Sequence, residues 1–247
     1  MIIGSGMLAR AFSAYDERND VVVLAAGVSN SREARPEAFE REIRLVEKTI
    51  ASIGNRLLVY FSTCSIYDPD AVNTPYVRHK LSIEKMVRDM AANYSLYRLP
   101  QVVGNTANST TLISFLYHSI VTQQPIDIWD KAYRYIIDAD DVARIISYAI
   151  DNEMFRNSTV NVASRPCLVA DLVKILEEIT GEKAVCTHRE KGGCYSIDTT
   201  DIKPILEQLK IEFGPEYLTS VLSKYYSAGA LVIPPLLATA KSGGLTQ

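Results

Sequence analysis

Residues 1–27 read MIIGSGMLARAFSAYDERNDVVVLAAG, and the spacing inside this stretch decides which kind of α/β protein follows. Gly4-Ser5-Gly6-Met7-Leu8-Ala9 matches GxGxxA. Glycines in that pattern allow a tight strand-to-helix turn and let backbone N–H groups approach a pyrophosphate at a helix N-terminus. Taken alone, the same residues also read as a packing turn with small side chains. VVVLAAG (21–27) is already a second buried-strand signal, and only AFSAYDERND (11–20) separates it from the turn. That gap is too short for a strand, a helix and a further strand. The half of the sheet that usually carries the acidic residue for an adenosine ribose is expected to be cut down. Asp16, Glu17 and Asp20 are acidic, but no strand places them. Arg10, just after the turn, reads as facing solvent in preference to meeting a 2′-phosphate.

Working outward, VVVLAAG (21–27), LLVYFST (57–63) and YSLYRLPQVVG (94–104) are nearly continuous apolar runs. Such runs suit a parallel sheet covered on both faces. Between them lie two amphipathic segments, expected as helices over 36–54 and 76–93. The first carries Phe39, Ile43, Val46, Ile50 and Ile53 at helical spacing, with Pro36 at its start and Gly54 at its stop. The second carries Leu81, Ile83, Met86, Val87 and Met90. The alternation predicts an α/β fold, a shortened Rossmann-like doubly wound parallel sheet. After Gly104 the pattern changes. A helix near 110–122, the helix DADDVARIISYAI, the short strand STVNVAS and the helix LVADLVKILEEITG, with Gly181 as its C-cap, predict a smaller C-terminal α/β lobe. The expected division is 1–104 for the first lobe, with 136–163 returning to it. Residues 105–135 and 164–226 then form the smaller lobe, and 227–247 a tail.

The 247 residues are 47% hydrophobic and 22% charged, with a net charge of −3. Without a basic run, nucleic acid is not expected as a partner. Four cysteines (64, 167, 186 and 194) and no leader segment predict free thiols in a reducing, cytoplasmic setting. Cys186, His188 and Cys194 lack a CxxC pair or a fourth ligand at usual spacing, so no metal site is expected. AGALVIPPLLATA (228–240), broken by Pro234 and Pro235, is too short for a membrane span. It reads as a packing or oligomer arm, or a disordered tail.

Tyr76 and Lys80 stand four apart and so share one face of a helix. A lysine ammonium there is expected to lower the phenol pKa and make Tyr76 a proton donor or acceptor. Ser62 or Thr63, at the end of the neighbouring strand, supplies a hydroxyl for the same substrate oxygen. Cys64 is adjacent, but without a paired histidine it reads as a small loop residue in preference to a nucleophile.

In order, the chain shows GxGxxA, DVVVLAAG, VYFSTCSIYD, PYVRHKLSIEKMV, LYRLPQVVGN, RYIIDADDVARII, TVNVAS and YSIDTTD. Over residues 1–210 this succession resembles the extended short-chain dehydrogenase/reductase family, the sugar-nucleotide epimerases, dehydratases and reductases. The resemblance implies Thr63, Tyr76 and Lys80 as catalytic residues. It implies Gly4, Ser5, Gly6, Met7, Leu8, Ala25, Ala26, Gly27, Ser62, Tyr76 and Lys80 around an NAD or NADP cofactor. It implies Thr63, Cys64, Ser65, Gln101, Arg134 and, more loosely, Arg189 toward a nucleotide-sugar substrate, with Arg134 able to pair a diphosphate.

Two departures bear on the reaction. Cys64 and Ser65 stand where the family's dehydratases often carry Asp-Glu, which speaks against 4,6-dehydration. Asp68 replaces a family glycine. The expected activity is ketoreduction or epimerisation of a nucleotide-activated sugar, in deoxysugar or surface polysaccharide synthesis. The alternative is a binding or regulatory protein of the same fold that has lost redox chemistry. A homodimer through helices 36–54 and 76–93 is a further expectation.

Overall fold

A computed structural model describes residues 1–106 and 111–227. Its main sheet has five parallel strands in the order β1 (Ile2–Ile3), β2 (Val21–Leu24), β3 (Leu57–Thr63), β4 (Tyr94–Leu99), β8 (Ser158–Asn161). Residues of each strand alternate between two apolar layers, as strand geometry requires. Val21, Val23, Val59 and Tyr97 face one layer, and Val22, Leu24, Leu58 and Leu96 the other. The first layer is closed by α1 (Met7–Ala11), α5 (Ala139–Asp151) and α7 (Lys203–Leu209). The second is closed by α2 (Pro36–Ile53) and α3 (Pro75–Met90). Most of these strand residues are fully buried, and each Val or Leu contributes about 1.5–3 kcal/mol of burial.

The sheet stops at β1. Residues 13–15 form a 3₁₀ turn, and the chain goes directly from α1 into β2, as the short 11–20 segment predicts. This connection is unusual in hand. The strands advance in one direction from β1 to β4, yet Phe12 and Tyr15 pack with α5 on the face opposite α2 and α3. The β1–α1–β2 crossover therefore has the opposite hand to the two that follow, whereas such crossovers are nearly always right-handed.

The expected strand 94–104 is in fact two. Pro100, which lacks an N–H, separates β4 from β5 (Gln101–Val103), and β5 leaves the main sheet to pair with β7 (Tyr133–Asp138). β7 in turn pairs antiparallel with β9 (Pro166–Leu168). β6 (Ile126–Trp129) pairs with β10 (Cys186–Arg189). Around these, α4 (Leu112–Val121), α6 (Val169–Thr180) and α8 (Tyr217–Tyr226) enclose a separate core. Gly181 ends α6 in the left-handed region. Ile202, Ile205 and Ile211 lie in the first lobe's layer, although they fall inside the stretch expected for the smaller lobe. The tail residues 228–247 lie outside the described residues.

The amphipathic readings of α2 and α3 need correction. The most buried stripe of α2 is Glu42, Val46, Thr49 and Ile53, whereas Phe39, Ile43 and Ile50 are half-buried. On α3, Leu81 and Met90 are exposed, and the buried face carries Tyr76, His79, Lys80 and Glu84 beside Ile83 and Val87.

Candidate functional site

The candidate site lies at the C-terminal ends of β2 and β3. β3 delivers Ser62 and Thr63 in extended backbone, and a 3₁₀ turn follows at Cys64–Tyr67. α3 starts opposite it: Thr74 caps the helix by accepting the Val77 N–H, and Pro75 occupies the first turn. That start places Tyr76 and Lys80 one turn apart on the face toward the sheet. Thr63 Oγ1 accepts from the Ser65 N–H at 3.0 Å and lies 3.0 Å from Ser65 Oγ. The Thr63 hydroxyl also faces the Tyr76 phenol and draws its pKa down. Burial is the larger effect, and it pushes Tyr76 up to about 12. The expected direction was the reverse, and Lys80 explains the difference.

Lys80 is spent elsewhere. Its ammonium donates to Glu42 Oε1 at 2.9 Å, to Tyr60 Oη at 2.8 Å and to the Phe61 carbonyl at 3.4 Å. An ammonium has three N–H donors, so all are engaged. Glu42 makes three further contacts, with Tyr60 Oη–H (2.5 Å), the Val28 N–H (2.8 Å) and His79 Nε2 (2.9 Å). Burial opposes this carboxylate, but the His79 hydrogen bond and the Lys80 charge outweigh it and hold Glu42 at about 2. Burial in turn pulls the Lys80 pKa below the ordinary lysine value, against the Glu42 charge.

Other expected site residues are also committed. Ser62 Oγ donates to Glu84 Oε1 at 2.6 Å. Cys64 is buried, donates to the Arg98 carbonyl, and burial pushes its thiol up to about 12. It is no nucleophile at neutral pH. Asp68, the residue in place of a family glycine, lies 3.6 Å from Arg134 Nη1. The Arg134 guanidinium also donates to the Tyr133 carbonyl at 2.7 Å. Gln101 sits half-buried at the start of β5. Arg189, on the β6–β10 pair, is exposed and bonded to Asp127 at 3.0 Å. His188 meets Asp130 at 2.6 Å.

The GxGxxA turn is built as the motif requires. Gly4 has φ +135°, and a Cβ there would stand 2.5 Å from the Ala25 carbonyl oxygen. Gly6, the N-cap of α1, has nothing within 4 Å of its Cβ position. Arg10 clips the turn by donating to the Ser5 and Asn105 carbonyls at 3.0 and 2.6 Å. Met7 lies against Gly104. Ala25, Ala26 and Gly27 follow β2 directly, and any side chain at Gly27 would overlap the Glu42 carboxylate.

Residues 5–163 match the model of the NAD dependent epimerase/dehydratase family. The chain belongs to that family. Similar solved structures include the UDP-glucuronic acid 4-epimerase of Bacillus cereus in complex with UDP-glucuronic acid and NAD. It is 18% identical with a TM-score of 0.68, over 87% of this chain and 76% of that one. The dTDP-glucose 4,6-dehydratase of Bacillus anthracis, in complex with NAD, is 13% identical with a TM-score of 0.64, over 90% and 78%. The UDP-glucose 4-epimerase of Thermotoga maritima, with UDP-glucose, is 19% identical with a TM-score of 0.57, over 81% and 76%. A comparison with curated proteins finds no match. The Rossmann-like fold and an enzyme of the extended short-chain type both stand with this membership.

Whether the residues present suit a dinucleotide divides along its length. From the pyrophosphate to the nicotinamide the residues are suited: the backbone at Gly6 is open and the Thr63–Tyr76 pair stands at the end of β3, whereas Glu42 and Lys80 fill the space beside Gly27. At the adenosine end, β1 is the sheet's edge, and its Ile2 N–H, which β2 does not use, is capped by Asp16 Oδ1 at 3.3 Å. Among the described residues, no strand stands beyond β1 to carry a ribose-binding acid.

Sequence reasoning missed Tyr60, Glu42, His79, Glu84 and Arg98. The signal for two of them was present. Glu42 and Glu84 each sit at helical spacing from buried apolar residues (Val46 and Val87), where an unpaired charge would be costly.

Proposed function

We propose that this chain is an NAD(P)-dependent enzyme acting on a nucleotide-activated sugar, as a ketoreductase in preference to an epimerase. The observation that carries the reading is the Thr63 hydroxyl facing a buried Tyr76 phenol at the rim of β3. When bound, the nicotinamide supplies the hydride. The chain's own residues manage the proton and the geometry. Thr63 holds the substrate oxygen. Tyr76, kept as a phenol by burial, gives its proton to a carbonyl oxygen as the carbon accepts the hydride, and regains a proton from solvent. A buried acid of this kind suits donation better than abstraction. Arg134, balanced by Asp68, is offered to the diphosphate. Gly4 to Leu8 and Ala25 to Gly27 line the cofactor. Lys80 reaches a ribose hydroxyl only by giving up its longest contact, the one to Phe61.

The cysteines of the described residues are all free, and no helix among those residues is long and apolar enough to cross a membrane. Both support a cytoplasmic enzyme. Exposed Leu81 and Met90 on α3, with half-buried Ile43 and Ile50 on α2, support a homodimer through those helices.

The test is turnover of UDP- and dTDP-linked sugars and keto-sugars with each nicotinamide cofactor, comparing wild type with Tyr76→Phe. Loss of turnover in a folded, cofactor-binding variant is expected. Equal turnover overturns the reading.

A further inference from the structure

The site contains a buried carboxylate that the proton transfer does not use. Glu42 comes from the middle of α2 and crosses the end of β2 to reach Lys80 on α3. It is 2% exposed and touches groups from two separate elements and one loop. These are Lys80 and His79 on α3, Tyr60 on β3, and the Val28 N–H in the loop after β2. His79 is itself fixed, its ring stacked on Phe39 with centroids 4.5 Å apart. Gly27 has no side chain at the one place where a Cβ would collide with both Glu42 and Lys80. Several independent features therefore converge to hold one carboxylate against one ammonium.

We propose that Glu42 is the positioning residue of this site: its carboxylate fixes the Lys80 ammonium at the rim of β3 and keeps it charged. The proposal rests on the reading of Tyr76 and Lys80 as the working pair of the enzyme. A buried lysine without a counter-ion sheds its proton, because burial penalises the charged form. The groups facing Lys80 are Glu42 from α2, Tyr60 and the Phe61 carbonyl from β3, and Glu84 from its own helix. Of these, Glu42 alone places a carboxylate oxygen within hydrogen-bond distance. Tyr60 relays the same contact, donating to Glu42 while accepting from Lys80. Glu84 is bound to Arg98 and Ser62. Without Glu42, Lys80 is left with the neutral Tyr60 hydroxyl and Phe61 carbonyl as partners, and nothing there balances a buried ammonium.

The experiment is NMR of the full chain carrying lysine labelled with 13C at Cε, whose shift reports the charge of each amine. Lys80→Met identifies the Lys80 signal. In wild type, Lys80 is expected to remain an ammonium from pH 6 to beyond pH 8. In Glu42→Gln its midpoint is expected to fall by about two pH units, a hundredfold change in its acid constant. Glu42→Asp is expected to retain the ammonium at neutral pH. A folded Glu42→Gln with an unchanged Lys80 titration overturns the proposal. So does a wild-type Lys80 that is already neutral at pH 7, a measurement that needs no variant to fold. Neither result depends on turnover. A failure of the enzymatic reading, seen as undiminished activity in Tyr76→Phe, is therefore distinct from a failure of this one.

Discussion

Arg98 grips Glu84 through both ends of its guanidinium, with Nε 2.8 Å from Oε1 and Nη2 2.7 Å from Oε2. Glu84 is fully buried, and Ser62 adds a third hydrogen bond from the end of β3. The pair ties α3 to β4 directly beneath the candidate site. Removing one partner strands the other charge. Glu84→Ala is expected to cost about 3–5 kcal/mol of stability, read as a lower urea midpoint. A variant within 1 kcal/mol of wild type would contradict the packing described.

The same carboxylates predict the acid limb of stability. Burial works against Glu84, but Arg98 and Ser62 outweigh it and hold its pKa below the ordinary value. Glu42 is held at about 2. A carboxylate depressed by folding contributes stability above its unfolded pKa and loses it as pH falls through its folded one. Thermal stability is therefore expected to hold near neutral pH and to decline from about pH 4.5 toward pH 2. Glu42→Gln should flatten the lower part of that decline in a calorimetric series.

Replacing Tyr76 by Phe removes one oxygen and little packing. Turnover is expected to drop by about 10²–10⁴-fold, with the melting temperature and cofactor affinity little changed. Thr63→Ala should raise KM as well as lower kcat, because its hydroxyl holds the substrate oxygen. Steady-state kinetics on a substrate found by the nucleotide-sugar screen would separate the two.

The two glycines of the opening turn should differ sharply under one substitution. At Gly4 the backbone has φ +135° and a Cβ would press on the Ala25 carbonyl. Gly4→Ala is expected to cost about 1–3 kcal/mol. Gly6→Ala has open space around it, and is expected to leave the fold intact while weakening any ligand that approaches the backbone there. Melting curves of both variants, with and without NADH, give the comparison.

Because the sheet ends at β1, most of the cofactor's grip is expected from its nicotinamide half. Reduced nicotinamide mononucleotide should bind within about tenfold of NADH, a difference of about 1.4 kcal/mol. Calorimetric titration of both ligands decides this. An adenosine half contributing a thousandfold would contradict this expectation.

Much of the fold was legible because its signals are local. Continuous apolar strands, Pro36, Gly54 and the Gly181 cap each act over a few residues, and the shortness of residues 11–20 announced the clipped sheet. The split at Pro100 was in the letters too, but Leu99 and Val102 on either side hid a change of sheet. The site was legible as a set of positions: Thr63 and Tyr76 do converge. Its electrostatics were not. A four-residue spacing places Lys80 on the face of Tyr76, but it cannot show that a carboxylate 38 residues earlier takes up the ammonium. Long-range pairing of this kind is written in the packing of α2 against α3. Its trace in the sequence is a glutamate on an otherwise apolar stripe.

The reversed hand of the first crossover has a practical consequence. A helix that leaves β1 on the α5 face is already where it belongs in a sheet that continues past β1 in the other direction. The chain thus has the layout of a longer domain from which an internal block has been excised between Phe12 and Asp20. Grafting a strand–helix–strand cassette at that junction would need no rearrangement of α1. It would turn the present edge into an interior strand and give protein engineers a direct route to switching the dinucleotide preference.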